Sequence, residues 1–81
     1  MSLENEIKEI VSVIIQVSID EIDSEASFFD DYGMDSLRAL EILAEIENRY
    51  QIIIDPEKLM KMTNVAEVVN ITREYLENGK V

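Results

Sequence analysis

The run D-D-Y-G-M-D-S-L-R-A-L, from Asp30 to Leu40, gathers residues whose types and spacing bear on chemistry. Gly33 supplies a backbone position that accepts positive φ at little cost. Asp35 carries the short acceptor side chain of a helix N-cap, and Ser36 follows it. A serine nucleophile requires an adjacent base, and this chain has neither His nor Cys. No lysine nearby shows a sign of the burial that Ser–Lys chemistry needs, so catalysis by Ser36 is disfavoured. Two roles remain. Ser36 is either a residue chosen for helix-start chemistry, or a hydroxyl acted on by an outside enzyme. The second role suits a phosphate ester, because first-turn N–H groups and the positive end of the helix dipole favour an anion.

The elements that must place this serine are helical. Leu3, Ile7, Ile10, Ile14 and Val17 recur at three- and four-residue intervals, predicting a helix from about Leu3 to Val17. The β-branched run V-S-V-I-I-Q-V-S-I competes for a strand, but strict alternation fails at Ile14-Ile15. A long irregular stretch is expected from Ser18 to Met34, with Ile19, Ile22, Phe28 and Phe29 available to pin it. The second helix begins at Asp35 or Ser36 and runs to Tyr50. Pro56 bars its continuation and opens a short helix to about Met62. A last helix starts after Thr63 or Asn64, with Asn64 and Glu67 spaced as a capping box. Its inward stripe is Val65, Val68, Val69, Thr72, Tyr75 and Leu76. The expectation is an all-α, small four-helix bundle: three longer helices, one short helix, and a long loop between the first two. Residues 1–81 read as one domain.

Bulk charge narrows the partners. The net charge is −11, from 18 acidic and 7 basic residues, which opposes nucleic acid and anionic membranes and favours basic protein patches. At 47% hydrophobic the chain is too apolar for a disordered acidic tail. Without Cys there is no disulfide and no thiolate metal site. The N-terminal segment lacks a basic start and an apolar run. A cytoplasmic monomer is therefore expected.

At about 100° per residue the second helix shows two apolar faces. Ala39, Ile42, Leu43, Ile46 and Tyr50 form a core stripe. Leu37, Leu40 and Ala44 form another on roughly the opposite side, flanked by Glu41 and Glu47. That ridge is either a docking surface or a seat for the long loop.

With S-F-F before it and E-I-L-A-E-I-E-N-R-Y after it, D-D-Y-G-M-D-S-L resembles the acyl carrier protein family. The likeness extends over nearly the whole chain, including I-D-P, T-N-V and the last helix. It implies that Ser36 carries covalent 4′-phosphopantetheine, installed from coenzyme A by a phosphopantetheinyl transferase. It implies no catalytic residue and no metal. Acyl groups would travel on the arm's thiol as thioesters between synthases, acyltransferases or ligases with basic patches. Asp35, Leu37, Arg38, Leu40, Glu41, Ala44 and Glu47 would meet those partners. Arg38 departs from the acidic residue usual in fatty-acid carriers, and a cation in the first turn works against the helix dipole. E-I-E-N-R-Y is similar to the matching helix of D-alanyl and other specialised carriers. Delivery in fatty-acid biosynthesis is the leading expectation. The alternative is a dedicated carrier for a polyketide, aminoacyl or lipid-modifying pathway.

Two readings from other classes stand beside it. The carboxylates from Asp20 to Asp35 invite a divalent cation or a structural interaction module. An EF-hand register centred on Gly33 places Phe28 and Phe29 at or near ligand positions and lacks the closing Glu. Paired carboxylates can serve acid–base catalysis, but so small a bundle has few places to keep them dry.

Overall fold

The computed structural model describes residues 2–78. Helix α1 (Leu3–Ile15) opens where Ser2 Oγ accepts the Asn5 N–H at 3.1 Å. It stops two residues short of the expected Val17. Gln16 turns left-handed at φ 60°, and the Val17 N–H bonds back to the Ser12 carbonyl. Ser12 Oγ donates to the Val17 carbonyl at 2.6 Å and closes that end. The left-handed residue breaks the helical register, so Val17 folds back against the core instead of continuing the stripe.

The stretch from Ser18 to Met34 is more ordered than expected. It contains a 3₁₀ turn (Ile19–Glu21) and a one-turn helix, α2 (Phe28–Asp31). Ser27 Oγ accepts the Asp30 N–H, while the Ser27 N–H donates to Asp31 Oδ2, so each end of the turn caps the other. Phe28 is buried. Its N–H reaches the Thr63 carbonyl at 2.8 Å, and its carbonyl accepts the Met34 N–H at 3.0 Å. One buried ring and two backbone bonds thus tie this segment to the far side of the molecule and to the turn before Ser36. Phe29 stays exposed.

Helix α3 (Ser36–Tyr50) has the expected bounds. It ends like α1, with Gln51 left-handed and the Ile52 N–H returning to the Glu47 carbonyl. The expected short helix is a 3₁₀ segment (Pro56–Lys61), started by Asp55 Oδ1 accepting the Glu57 N–H. Six residues is long for this geometry, in which runs beyond about four are uncommon. Helix α4 (Val65–Glu77) begins where Asn64 Oδ1 accepts the Glu67 N–H at 2.8 Å.

Three longer helices share one core. Helix α1 packs on both α3 and α4, so its buried arc is wider than its narrow stripe and takes in Val11. The α3 stripe of Ala39, Ile42, Leu43 and Ile46 is buried as expected, with Tyr50 packed at its edge. Tyr50 Oη donates to Glu6 Oε1 at 2.5 Å. Burial, and then this bond to a carboxylate, hold its pKa above the ordinary phenol range. On α4, Val65, Val68, Val69 and Thr72 face inward, but Leu76 is exposed at the last turn, beyond the reach of its neighbours. Ile71 is buried instead; α4 also packs on the 3₁₀ segment, which widens the arc it hides.

Thr72 Oγ1 is buried without a hydrogen-bond partner. An unpaired hydroxyl in a core costs about 1–3 kcal/mol. Thr72→Val keeps the shape and an equal helix propensity. It should stabilise the fold by about 1 kcal/mol in urea denaturation. A neutral or destabilising effect would mean that the hydroxyl is satisfied in solution.

Candidate functional site

The site is the start of α3. Gly33 adopts φ 63°, and a Cβ built there would meet no atom within 4 Å. The glycine is therefore required by backbone conformation and not by crowding. Asp35 is extended, and its Oδ1 accepts the Arg38 N–H at 2.9 Å. Its carbonyl accepts the Ala39 N–H at 3.1 Å. The side chain thus satisfies one of the four orphan donors of the helix, and the carbonyl accepts the first intrahelical bond. Ser36 is the first residue of α3 and is exposed. Because Asp35 makes the cap, the Ser36 hydroxyl is free of that task. The Ser36 and Leu37 N–H groups sit at the positive end of a 15-residue helix.

The ridge beside it is uncovered. Leu37 is 63% exposed and Leu40 48%, and Ala44 is exposed between neighbouring turns. The long segment does not fold over them, because α2 anchors it toward Thr63. Glu41 is exposed, and its Oε1 lies 2.8 Å from an Arg38 guanidinium nitrogen. Arg38 thus neutralises part of the acidic rim that Glu41 would otherwise present. Both side chains are about half exposed, so the pair contributes little stability.

Glu47 differs from its expected place on the open rim. It is half-buried, and its Oε2 accepts the Ile54 N–H at 2.9 Å. The carboxylate serves as a latch between α3 and the chain leaving it. A helical projection places a residue by angle alone and does not reveal that a following loop returns to it. Two apolar side chains absent from the sequence reading, Ile53 and Met60, are also exposed. Ile53 lies in an irregular segment and Met60 in the short 3₁₀ run, where too few residues repeat to mark which side faces solvent.

Among the described residues, no group of three or more His, Cys, Asp or Glu is arranged to hold a metal ion. No helix among them is long and apolar enough to cross a membrane. What the arrangement offers is a solvent-facing hydroxyl at a helix tip, with an apolar ridge alongside.

Residues 5–71 match the family model described as "Phosphopantetheine attachment site". The chain belongs to the acyl carrier protein family. It is 38% identical over 73 residues to the "Polyketide-8 synthase acyl carrier protein 1" of Streptomyces avermitilis, covering 90% of this chain and 87% of that protein. An acyl carrier protein is a non-catalytic carrier whose cofactor is 4′-phosphopantetheine. Its general partners are phosphopantetheinyl transferases and the synthases it serves.

Two residues set the geometry of the helix start, and each can be tested. Gly33→Ala forces a side chain into a left-handed position, which costs about 1–2 kcal/mol. Asp35→Ala removes the cap and should cost about 1 kcal/mol, with Asp35→Asn retaining most of it. Urea denaturation should show both losses with an unchanged slope. A stable Gly33→Ala variant would contradict the left-handed geometry at that residue.

Proposed function

We propose that Ser36 is the attachment residue for the 4′-phosphopantetheine arm. The observation that carries this is the division of labour at the helix start: Asp35 caps the helix, which leaves an exposed hydroxyl beside it without a structural duty. The residues present fit the group. Ser36 is exposed, and the N–H groups of the first turn that the cap leaves unpaired favour an anionic ester. The arm supplies a terminal thiol that holds acyl groups as thioesters, which this Cys-free chain cannot do itself. Leu37, Leu40 and Ala44 give partners an apolar contact. Asp35 and Glu41 favour partners with basic patches, and Arg38 rejects some of them. Glu47 belongs to the latch first, and to the partner face only through its exposed edge.

The cargo we favour is that of a dedicated, polyketide-type pathway. The similarity to the Streptomyces carrier supports this, as does the Arg38–Glu41 pair beside the attachment serine. Fatty-acid biosynthesis is the second reading, supported by the whole-chain resemblance from I-D-P through the last helix. In either role the chain acts as a single carrier domain and a monomer in the cytoplasm.

Incubation with coenzyme A and a broad-specificity phosphopantetheinyl transferase should add one phosphopantetheine to the intact mass, and Ser36→Ala should add none. No gain under conditions that modify another carrier would overturn the assignment. The pathway is separated by loading. Arg38→Glu should improve transfer from a fatty-acid malonyl transferase by roughly two- to fivefold, the range of one exposed ion pair. It should weaken transfer from a polyketide-type acyltransferase by a similar factor. The opposite pattern would favour the fatty-acid role.

A further inference from the structure

A second surface lies on another flank of α3, away from Ser36 and the ridge. Glu45 and Arg49 lie about a third of a turn around the helix from Leu37, Leu40 and Ala44. They border a cavity of about 470 Å³ between α3, α1 and the first 3₁₀ turn. Its floor is apolar, formed by Ile10, Val13, Ile14 and Ile19. Val13 is 76% exposed, an unusual placement for a β-branched apolar residue in mid-helix, and no element covers it. At one end Arg49 bridges to Glu9 of α1 across 3.9 Å. That pair adds little stability but uses the one cation lining this cavity. Glu45 has no ion-pair partner among the described residues. A further cavity of about 440 Å³ shares Glu9 and Ile19 and adds Lys8 and Asp20, whose charges offset each other, so Glu45 is the unpaired charge of the groove.

We infer that this groove is a second docking site, and that its occupant is a short amphipathic segment of a partner protein bearing apolar and basic side chains. The apolar floor provides the contact area, and Glu45, the unpaired carboxylate on its rim, selects a cation. A second copy of this chain is disfavoured, because each copy carries a net charge of −11. A partner held here leaves Ser36 and the ridge of α3 uncovered. The carrier can then stay tethered to one protein while another acts at its arm. The proposal does not depend on the assignment of Ser36.

Methyl and amide NMR of the full chain at physiological salt tests it, with a helical Leu/Lys peptide as the probe. A Ser/Lys peptide of equal charge is the control. The Leu/Lys peptide should bind saturably and shift the Val13, Ile14 and Ile19 methyl signals, while the control should not saturate. Val13→Glu and Glu45→Lys should each weaken binding about tenfold or more, the factor carried by one well-placed contact. Both positions are on the surface, so the spectra of both variants should retain the native fold. Both should still gain phosphopantetheine, which separates failure of this proposal from failure of the attachment assignment. Four results would overturn it. These are shifts centred on Leu37 and Leu40, equal binding by the Ser/Lys control, or concentration-dependent groove shifts without peptide, which would make a second copy the occupant. The fourth is groove shifts on loading an octanoyl arm, which would make the cargo the occupant.

Discussion

The bond from the Arg38 N–H to Asp35 Oδ1 decides where α3 begins, and the rest of the site follows from that position. A side-chain cap of this kind contributes about 1 kcal/mol. For a domain whose net stability is on the order of 5–15 kcal/mol, that is a substantial share held by one carboxylate. The cap also frees the next residue. With Asp35 serving the backbone, Ser36 can be kept for another purpose at the point where the helix dipole is most positive. Gly33 makes the arrangement possible by turning the chain into the cap through a left-handed conformation.

The same helix has to hold the fold and face the solvent. Ala39, Ile42, Leu43 and Ile46 bury one stripe, and the Glu47 latch fastens the outgoing chain to the helix's last turns. These contacts allow Leu37 and Leu40 to remain exposed without loosening α3. The α2 turn contributes from the other side. By burying Phe28 and bonding to Thr63, it holds the long connection away from the ridge. An open apolar ridge in so small a protein is thus left clear by anchoring its neighbours elsewhere.

Much of this was legible in the sequence. The bounds of α3, the Asp35 cap, the Gly33 turn and the two faces of α3 all follow from local rules: cap chemistry, left-handed glycine and a period near 3.6. Contacts made across the fold were not legible. The α2 turn is too short to show a period, although Ser27 and Asp31 carried its capping signal. Glu47 turned inward because a loop seven residues later needed an acceptor. Val11 and Ile71 were buried, and Leu76 exposed, because packing partners widen or shorten a helix's hidden arc in ways its own spacing does not record. The groove beside Val13 belongs to this class as well, since it exists only where α1 meets α3.

The central claim is that one hydroxyl among several is set apart by its place at the tip of α3. Serines also occur at positions 2, 12, 18, 24 and 27, and four of these are committed to bonds: Ser2 and Ser27 as caps, Ser12 at the end of α1, and Ser24 as donor to Glu4 Oε2. Fragment-ion mass spectrometry of the protein purified from its native cell locates the modification directly. The account predicts the phosphopantetheine mass on Ser36 and on no other residue. The same mass on a different serine, or an unmodified Ser36 in a fully modified chain, would contradict it.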